Sequence, residues 1–207
     1  MTACYKCPPG TFCNDTALAS PYLCSKGSYS STWGATNASF CQSCPRGSYC
    51  NQMRLTEPVL CNVGTYSAQE GQVDCTACPI GTFSVAIGAM DDSVCHNCTI
   101  GHYCDALNMS VPHECSLGMF SSRTGATTCD SCVAGEFANM TGQSSCWKCA
   151  MGTYSNANAA TSSTVCIDCD PGSYCDQQGM TIVLFSLSNN SSFRSVCTIS
   201  MPSWNSI

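Results

Sequence analysis

The stretch from Cys132 to Cys149 reads C-V-A-G-E-F-A-N-M-T-G-Q-S-S-C-W-K-C. A cysteine is followed by a glycine three residues on (Gly135) and an aromatic five on (Phe137), then by a second glycine (Gly142), a cysteine and C-x-x-C. This head recurs ten times, with its glycine at Gly10, Gly27, Gly47, Gly64, Gly81, Gly101, Gly118, Gly135, Gly152 and Gly172, each trailed two residues later by Phe or Tyr. Self-similarity at a short period makes the chain an array of small units before any single residue is interpreted.

Composition points the same way. Leu, Ile, Val and Phe make up about 15% of the 207 residues, below the ~20% at which a chain ceases to build an ordinary core. Cys supplies 22 residues, a share above the roughly 8–10% that marks a disulfide scaffold. Such density persists as disulfides only in an oxidising compartment, so an extracellular or cell-surface location is expected. Net charge is −6, and the three Lys and four Arg are scattered singly, which excludes a phosphate-tracking surface for nucleic acid and argues against an anionic membrane face. The longest apolar run, Ile182 to Phe185, is far short of a membrane span. No signal peptide opens the chain, because Cys4 already stands inside the pattern; a removed leader or a segment of a longer protein is expected.

Two spacings alternate. Loops of 13 or 16 intervening residues run Cys24–Cys41, Cys61–Cys75, Cys78–Cys95, Cys115–Cys129, Cys132–Cys146 and Cys149–Cys166. Tighter C-x5-C units lie at Cys7–Cys13, Cys44–Cys50, Cys98–Cys104 and Cys169–Cys175, the first three followed by a proline (Pro21, Pro58, Pro112) three residues before the next cysteine. Equivalent cysteines should have equivalent partners, so these ten intervals are read as ten disulfides. Cys4 then closes a loop that would begin upstream, and Cys197 opens one that would close downstream; an in-chain Cys4–Cys197 bridge is the alternative. The units are expected as repeats over 4–41, 44–75 and 98–129, short repeats over 78–95, 132–146 and 149–166, and a partial repeat with a β-prone tail over 169–207.

Glycine at plus three suits a turn with positive φ. The aromatic at plus five is expected to cover a disulfide as a small local core. Segments such as Gly64 to Ser67 should form short strands, paired with the residues before the closing cysteine. A bridge closing about 15 residues contributes ~3 kcal/mol through the unfolded state. The expected fold is therefore small disulfide-rich repeats, an elongated rod of short β-ribbon loops with almost no helix. The tail around Thr181 to Leu187 reads as a strand that either packs on its own last repeat or adds to an edge elsewhere.

Catalytic and metal chemistry finds little support. Seven C-x-x-C pairs have zinc spacing, but the repeat assigns the members of each pair to different loops. The thioredoxin-type motif occurs once, at a helix start, not seven times in an array without helices. His96, His102 and His113 sit in different repeats without a nucleophile in a distinctive setting. Asp91-Asp92 lacks the alternating acids of a calcium loop. No catalytic residue, metal ligand or cofactor is assigned.

N-x-[ST] stands out instead, at Asn14, Asn37, Asn97, Asn108, Asn139, Asn189 and Asn190, and marks acceptors for covalent N-glycans. Asn97 lies inside a C-x-x-C joint and is left off the expected set. Asn189 and Asn190 are adjacent, so one of the two is expected to carry sugar.

The unit C-P-x-G-[ST]-[YF], at Cys7 to Phe12, Cys44 to Tyr49 and Cys78 to Phe83, resembles the ephrin-receptor-like cysteine-rich repeat, itself similar to tumour necrosis factor receptor modules. The likeness covers roughly residues 4–175 and departs after Cys175. Such repeats occur in receptors, adhesion proteins and many large surface proteins, so the likeness says little of function; cysteine density and the lack of a catalytic constellation make a non-enzymatic extracellular protein the expectation. The first expectation is a glycosylated structural rod that assembles with copies of itself, or with further domains of a longer surface protein, into a filament, coat or stalk. The alternative is a ligand-binding segment of a receptor or adhesion protein, which calls for exposed aromatic anchors such as Trp33, Trp147 or Trp204.

Overall fold

In the computed structural model the described residues are 6–15 and 20–185; Cys4, Cys197, Trp204, Asn189 and Asn190 lie outside them. Each head opens with a turn. The amide at plus four donates to the carbonyl at plus one, as from Thr11 to Pro8 (3.2 Å) and from Thr153 to Ala150 (3.1 Å). The intervening glycines hold φ from 74° to 89°, the range that position i+2 of a type II turn demands. Where plus four is Ser or Thr, its hydroxyl donates to that same carbonyl, as from Thr65 to Asn62 at 2.8 Å and Thr82 to Pro79 at 2.6 Å. The hydroxyl residue in C-P-x-G-[ST]-[YF] is thus part of the turn.

The turn leads into two-residue strands. Thr65–Tyr66 pairs antiparallel with Thr76–Ala77, and Glu136–Phe137 with Trp147–Lys148. In the 13- and 16-residue loops the partner strand is the pair of residues inside C-x-x-C, just after the closing cysteine and not before it as expected; in the C-x5-C repeats it lies further on, as Tyr22–Leu23, Val59–Leu60, His113–Glu114 and Leu184–Phe185. The Cys61–Cys75 bridge sets its Cα atoms 5.8 Å apart, and so lays the pair that follows Cys75 beside its own head. Among the described residues, twenty such strands form ten two-stranded ribbons. Only single 3-10 turns interrupt them among the described residues: Ala38–Phe40, Asp92–Val94 and Ser163–Val165. These turns occur in the three 16-residue loops and account for the extra three residues.

Ten residues after its first cysteine, each repeat from Cys24 onward makes a second left-handed turn. Glycine fills it at Gly34, Gly71, Gly88, Gly125, Gly142 and Gly179, whereas Arg54, Asn108 and Ala159 adopt φ of 64°, 54° and 50°.

The chain divides into two compact units. One comprises Met1–Thr99, Tyr103–His113 and Thr124–Thr128; the other comprises Ile100–His102, Glu114–Arg123 and Cys129–Ile207. The same joint recurs inside each. In the first, three backbone bonds tie the heads at Cys44 and Cys61: Gly47 N to Ser67 O (2.9 Å), Cys50 N to Gln72 O (2.9 Å) and Gly71 N to Cys44 O (2.8 Å). In the second, Gly118 N to Ala138 O (2.8 Å), Ser121 N to Gln143 O (3.1 Å) and Gly142 N to Cys115 O (2.9 Å) repeat it. The glycine of each head also meets the second-turn carbonyl of the next head but one. Gly27 faces Gly71, and Gly64 faces Asn108, in the first unit; Gly118 faces Ala159, and Gly135 faces Gly179, in the second. Even at Gly81, the roomiest of these, an added Cβ would lie 2.7 Å from the carbonyl oxygen of Gly125.

Such close backbones leave space only for small side chains. The fully buried groups are half-cystines such as Cys44, Cys61, Cys98 and Cys149, all at 0% exposure. The residue at plus six is also buried, as Cys50, Ser67, Ser84, Cys104, Ser121, Ala138 or Ser155. The aromatics at plus five are half-buried rather than the core of their units. They pack across the ribbon instead: Phe12 stacks on Tyr22 with centroids 5.4 Å apart, and Phe83 meets His96 edge-on at 6.3 Å.

The repeat also runs further than its cysteines. Gly179 makes the second turn (φ 72°), and Leu184–Phe185 pairs with Ser173–Tyr174. The β-prone stretch up to Phe185 therefore packs on its own last repeat.

Two substitutions test this geometry. Gly64→Ala must force a methyl into the Asn108 backbone and should abolish secretion of folded material, whereas Gly152→Ala, with open space around it, should cost only about 1 kcal/mol for its positive φ. Ala159→Gly should stabilise by about 0.5–1 kcal/mol, because glycine relieves the left-handed φ, read as a higher denaturant midpoint at unchanged slope.

Candidate functional site

The cysteines among the described residues are committed to structure. Bridges join Cys7–Cys13, Cys24–Cys41, Cys44–Cys50, Cys61–Cys75, Cys78–Cys95, Cys98–Cys104, Cys115–Cys129, Cys132–Cys146, Cys149–Cys166 and Cys169–Cys175. Within each C-x-x-C among the described residues, the two cysteines enter different bridges. No group of three or more His, Cys, Asp or Glu is placed to hold a metal ion among the described residues, and no described helix is long and apolar enough to cross a membrane.

The histidines stand apart from one another on the ribbons. His113 lies 3.9 Å from Asp105 and against the Tyr103 ring (5.4 Å); His96 lies on Phe83. Asp91 caps the 3-10 turn Asp92–Val94, its carboxylate accepting from the hydroxyl and amide of Ser93. Those bonds, the hydroxyl's first, hold its pKa below the ordinary aspartate value of 3.8. Asn37 and Ser162 cap the equivalent turns, Asn37 accepting from Ser39 within its own sequon. Asn14, Asn97, Asn108 and Asn139 are exposed, as is Asn37.

What the frame offers to solvent is apolar. Trp33 is 66% exposed and Trp147 57%. Trp147 stands across the ribbon from Phe137, with Lys148 opposite Glu136 beside it. In the first unit, Phe12, Leu23, Lys26, Ser28 and Ala38 line an open groove of about 570 Å³. Cysteine spacing could not reveal the groove, because it arises where the ribbon of the first head meets the loop of the second.

A model of the family described as tyrosine-protein kinase ephrin type A/B receptor-like matches residues 47–95 and 118–166. These two segments are ephrin-receptor-like cysteine-rich repeats. Each matched segment runs from a head glycine (Gly47, Gly118) to the cysteine closing a 16-residue loop (Cys95, Cys166). Laid over one another, the ephrin-receptor-like segments bring Pro58 onto Cys129: where plus six carries the bridging cysteine, proline takes the closing cysteine's place. No curated protein matches the chain.

The Asp91 cap gives a pH prediction. A depressed carboxyl pKa means the cap's contribution is present above the unfolded value and lost as pH falls through the folded one. The Ser93 amide resonance should titrate with an apparent pKa below 3.8, and Asp91→Ser, which copies the Ser162 cap, should abolish that titration while keeping the turn.

Proposed function

We propose that the chain is a segment of an extracellular or cell-surface receptor or adhesion protein, one that binds a protein ligand through side chains projecting from a disulfide-held frame. The observation that carries this reading is Trp147, 57% exposed on a ribbon closed by the Cys132–Cys146 bridge. Exposing an indole on a stiff two-residue strand costs solvation and gives the fold nothing, whereas Trp is the side chain most enriched among binding hot spots. Trp33 is a second such anchor. The family match supports the receptor or surface setting. The frame acts by presentation and not by catalysis.

N-glycans on Asn14, Asn37, Asn108 and Asn139 belong to the same reading. All four are exposed, and sugar attached to the amide nitrogen of Asn37 leaves its cap oxygen free to accept from Ser39. Asn97 is exposed as well and joins the proposed set.

The test is an Fc fusion of the full chain applied to intact cells. Saturable binding is expected, with Trp147→Ala weakening it at least ~10-fold, about 1.4 kcal/mol, while peptide mapping shows the ten bridges intact. Binding unchanged in both Trp147→Ala and Trp33→Ala would overturn the anchor assignment. Peptide mass mapping with and without deglycosylation should find the five exposed sequons occupied.

A further inference from the structure

The groove of the first unit borders on a sequon. Asn37 caps the 3-10 turn Ala38–Phe40, and Ala38, the middle residue of N-A-S, lines the groove. The Asn37 amide is held in place. Its Oδ1 accepts from both the backbone amide (3.0 Å) and the hydroxyl of Ser39. Those two bonds fix the amide plane, so a sugar on Nδ2 leaves the turn in one direction. The groove's volume of about 570 Å³ falls within the range of small-molecule sites, and its lining has their mixture of apolar surface with a few polar groups. Phe12, which stacks on Tyr22, and Leu23, 47% exposed, supply the apolar part. Ser25, Lys26 and Ser43, all exposed, supply hydroxyls and an amine.

The other two capped turns provide an internal comparison. Their caps, Asp91 and Ser162, accept no N-glycan. In the register of Ser25, Lys26 and Ser43 those repeats carry Pro79, Ile80 and Asn97 in one case and Ala150, Met151 and Asp168 in the other. Where Leu23 stands they have Ala77 and Lys148. Of the three turns, the leucine and the hydroxyl-bearing positions therefore accompany the one whose cap can carry sugar.

We propose that this groove is a carbohydrate site for the chain's own N-glycan at Asn37, taking its first N-acetylglucosamine units; the inference rests on the occupancy of Asn37 proposed above. The apolar face of the pyranose and the acetamido methyl pack on Phe12 and Leu23. The sugar hydroxyls and the acetamido carbonyl meet Ser25, Ser43 and the Lys26 ammonium, which between them donate and accept. A single sugar binds such a surface weakly, but the covalent tether makes the event intramolecular and raises its effective concentration. The docked glycan covers apolar surface that the small interior cannot take in, and it ties the ribbon of the first head to the loop of the second.

The test uses the full chain, secreted from a eukaryotic host with acetyl-labelled N-acetylglucosamine, after peptide mass mapping has established which sequons are occupied. In the native protein a glycoamidase should release the Asn37 glycan at least ~10-fold more slowly than those at the other occupied sequons, because only the undocked fraction is cut. The acetamido methyl of the Asn37-linked sugar should be shifted upfield by the Phe12 and Tyr22 rings and show contacts to the Leu23 methyls. Leu23→Ser, a change at a half-exposed position, should erase the protection and the shift at Asn37 alone, with the ten bridges intact in peptide maps. Asn37→Asp, which keeps the turn capped as Asp91 does, should return the Leu23 methyl resonances to those of an open groove. An occupied Asn37 whose methyl is unshifted and whose sugar is released as fast as the others would overturn the docking while leaving the glycosylation reading in place; an unoccupied Asn37 would overturn both.

Discussion

The distance between neighbouring backbones governs this structure. Where the carbonyl of Gly125 reaches the Cα of Gly81, no Cβ can stand between them, and the same approach recurs at each buried head glycine. Once main chains come this close, no layer of Leu or Phe fits inside. The interior must be made of glycine faces, Ser and Ala at plus six, and sulfur. Main-chain hydrogen bonds of 2.7–3.1 Å join neighbouring heads, and disulfides supply what apolar burial cannot. The deficit of aliphatic residues and the excess of cysteine are two consequences of one spacing.

Much of the architecture was legible because its determinants are local. A glycine at plus three announces a positive φ, since other residues are strained there, and repetition assigned like cysteines to like bridges. What eluded the sequence was non-local. The ribbon partner was placed before the closing cysteine because hairpin logic favours short loops, yet the bridge brings Thr76–Ala77, beyond Cys75, beside Thr65–Tyr66. The aromatics were read as local cores because large rings are usually buried; here the interior is too thin to hold them, and they stack across ribbons. The repeat was read as ending at Cys175 because only cysteines were counted, whereas Gly179 and the Leu184–Phe185 strand keep the register through backbone geometry.

The candidate surface was the least legible part. Tryptophans could be named as anchors from their chemistry, but exposure depends on neighbours that lie one or two repeats away.

A frame held by cysteine, glycine and small residues leaves its other positions nearly free of structural duty. Loop length changes by inserting a capped 3-10 turn before Cys41, Cys95 or Cys166 without disturbing the ribbons, and the cap itself can be Asn, Asp or Ser. Arg54 and Asn108 replace glycine at second turns and still carry the joint. A side chain such as Trp147 is then not required by the fold, since its ribbon partner Phe137 has counterparts facing Thr76 or Asp130 in other repeats. When a scaffold accepts threonine or aspartate where it carries an exposed tryptophan, folding is not the reason for the tryptophan, and that freedom is the ground on which the proposed recognition role stands.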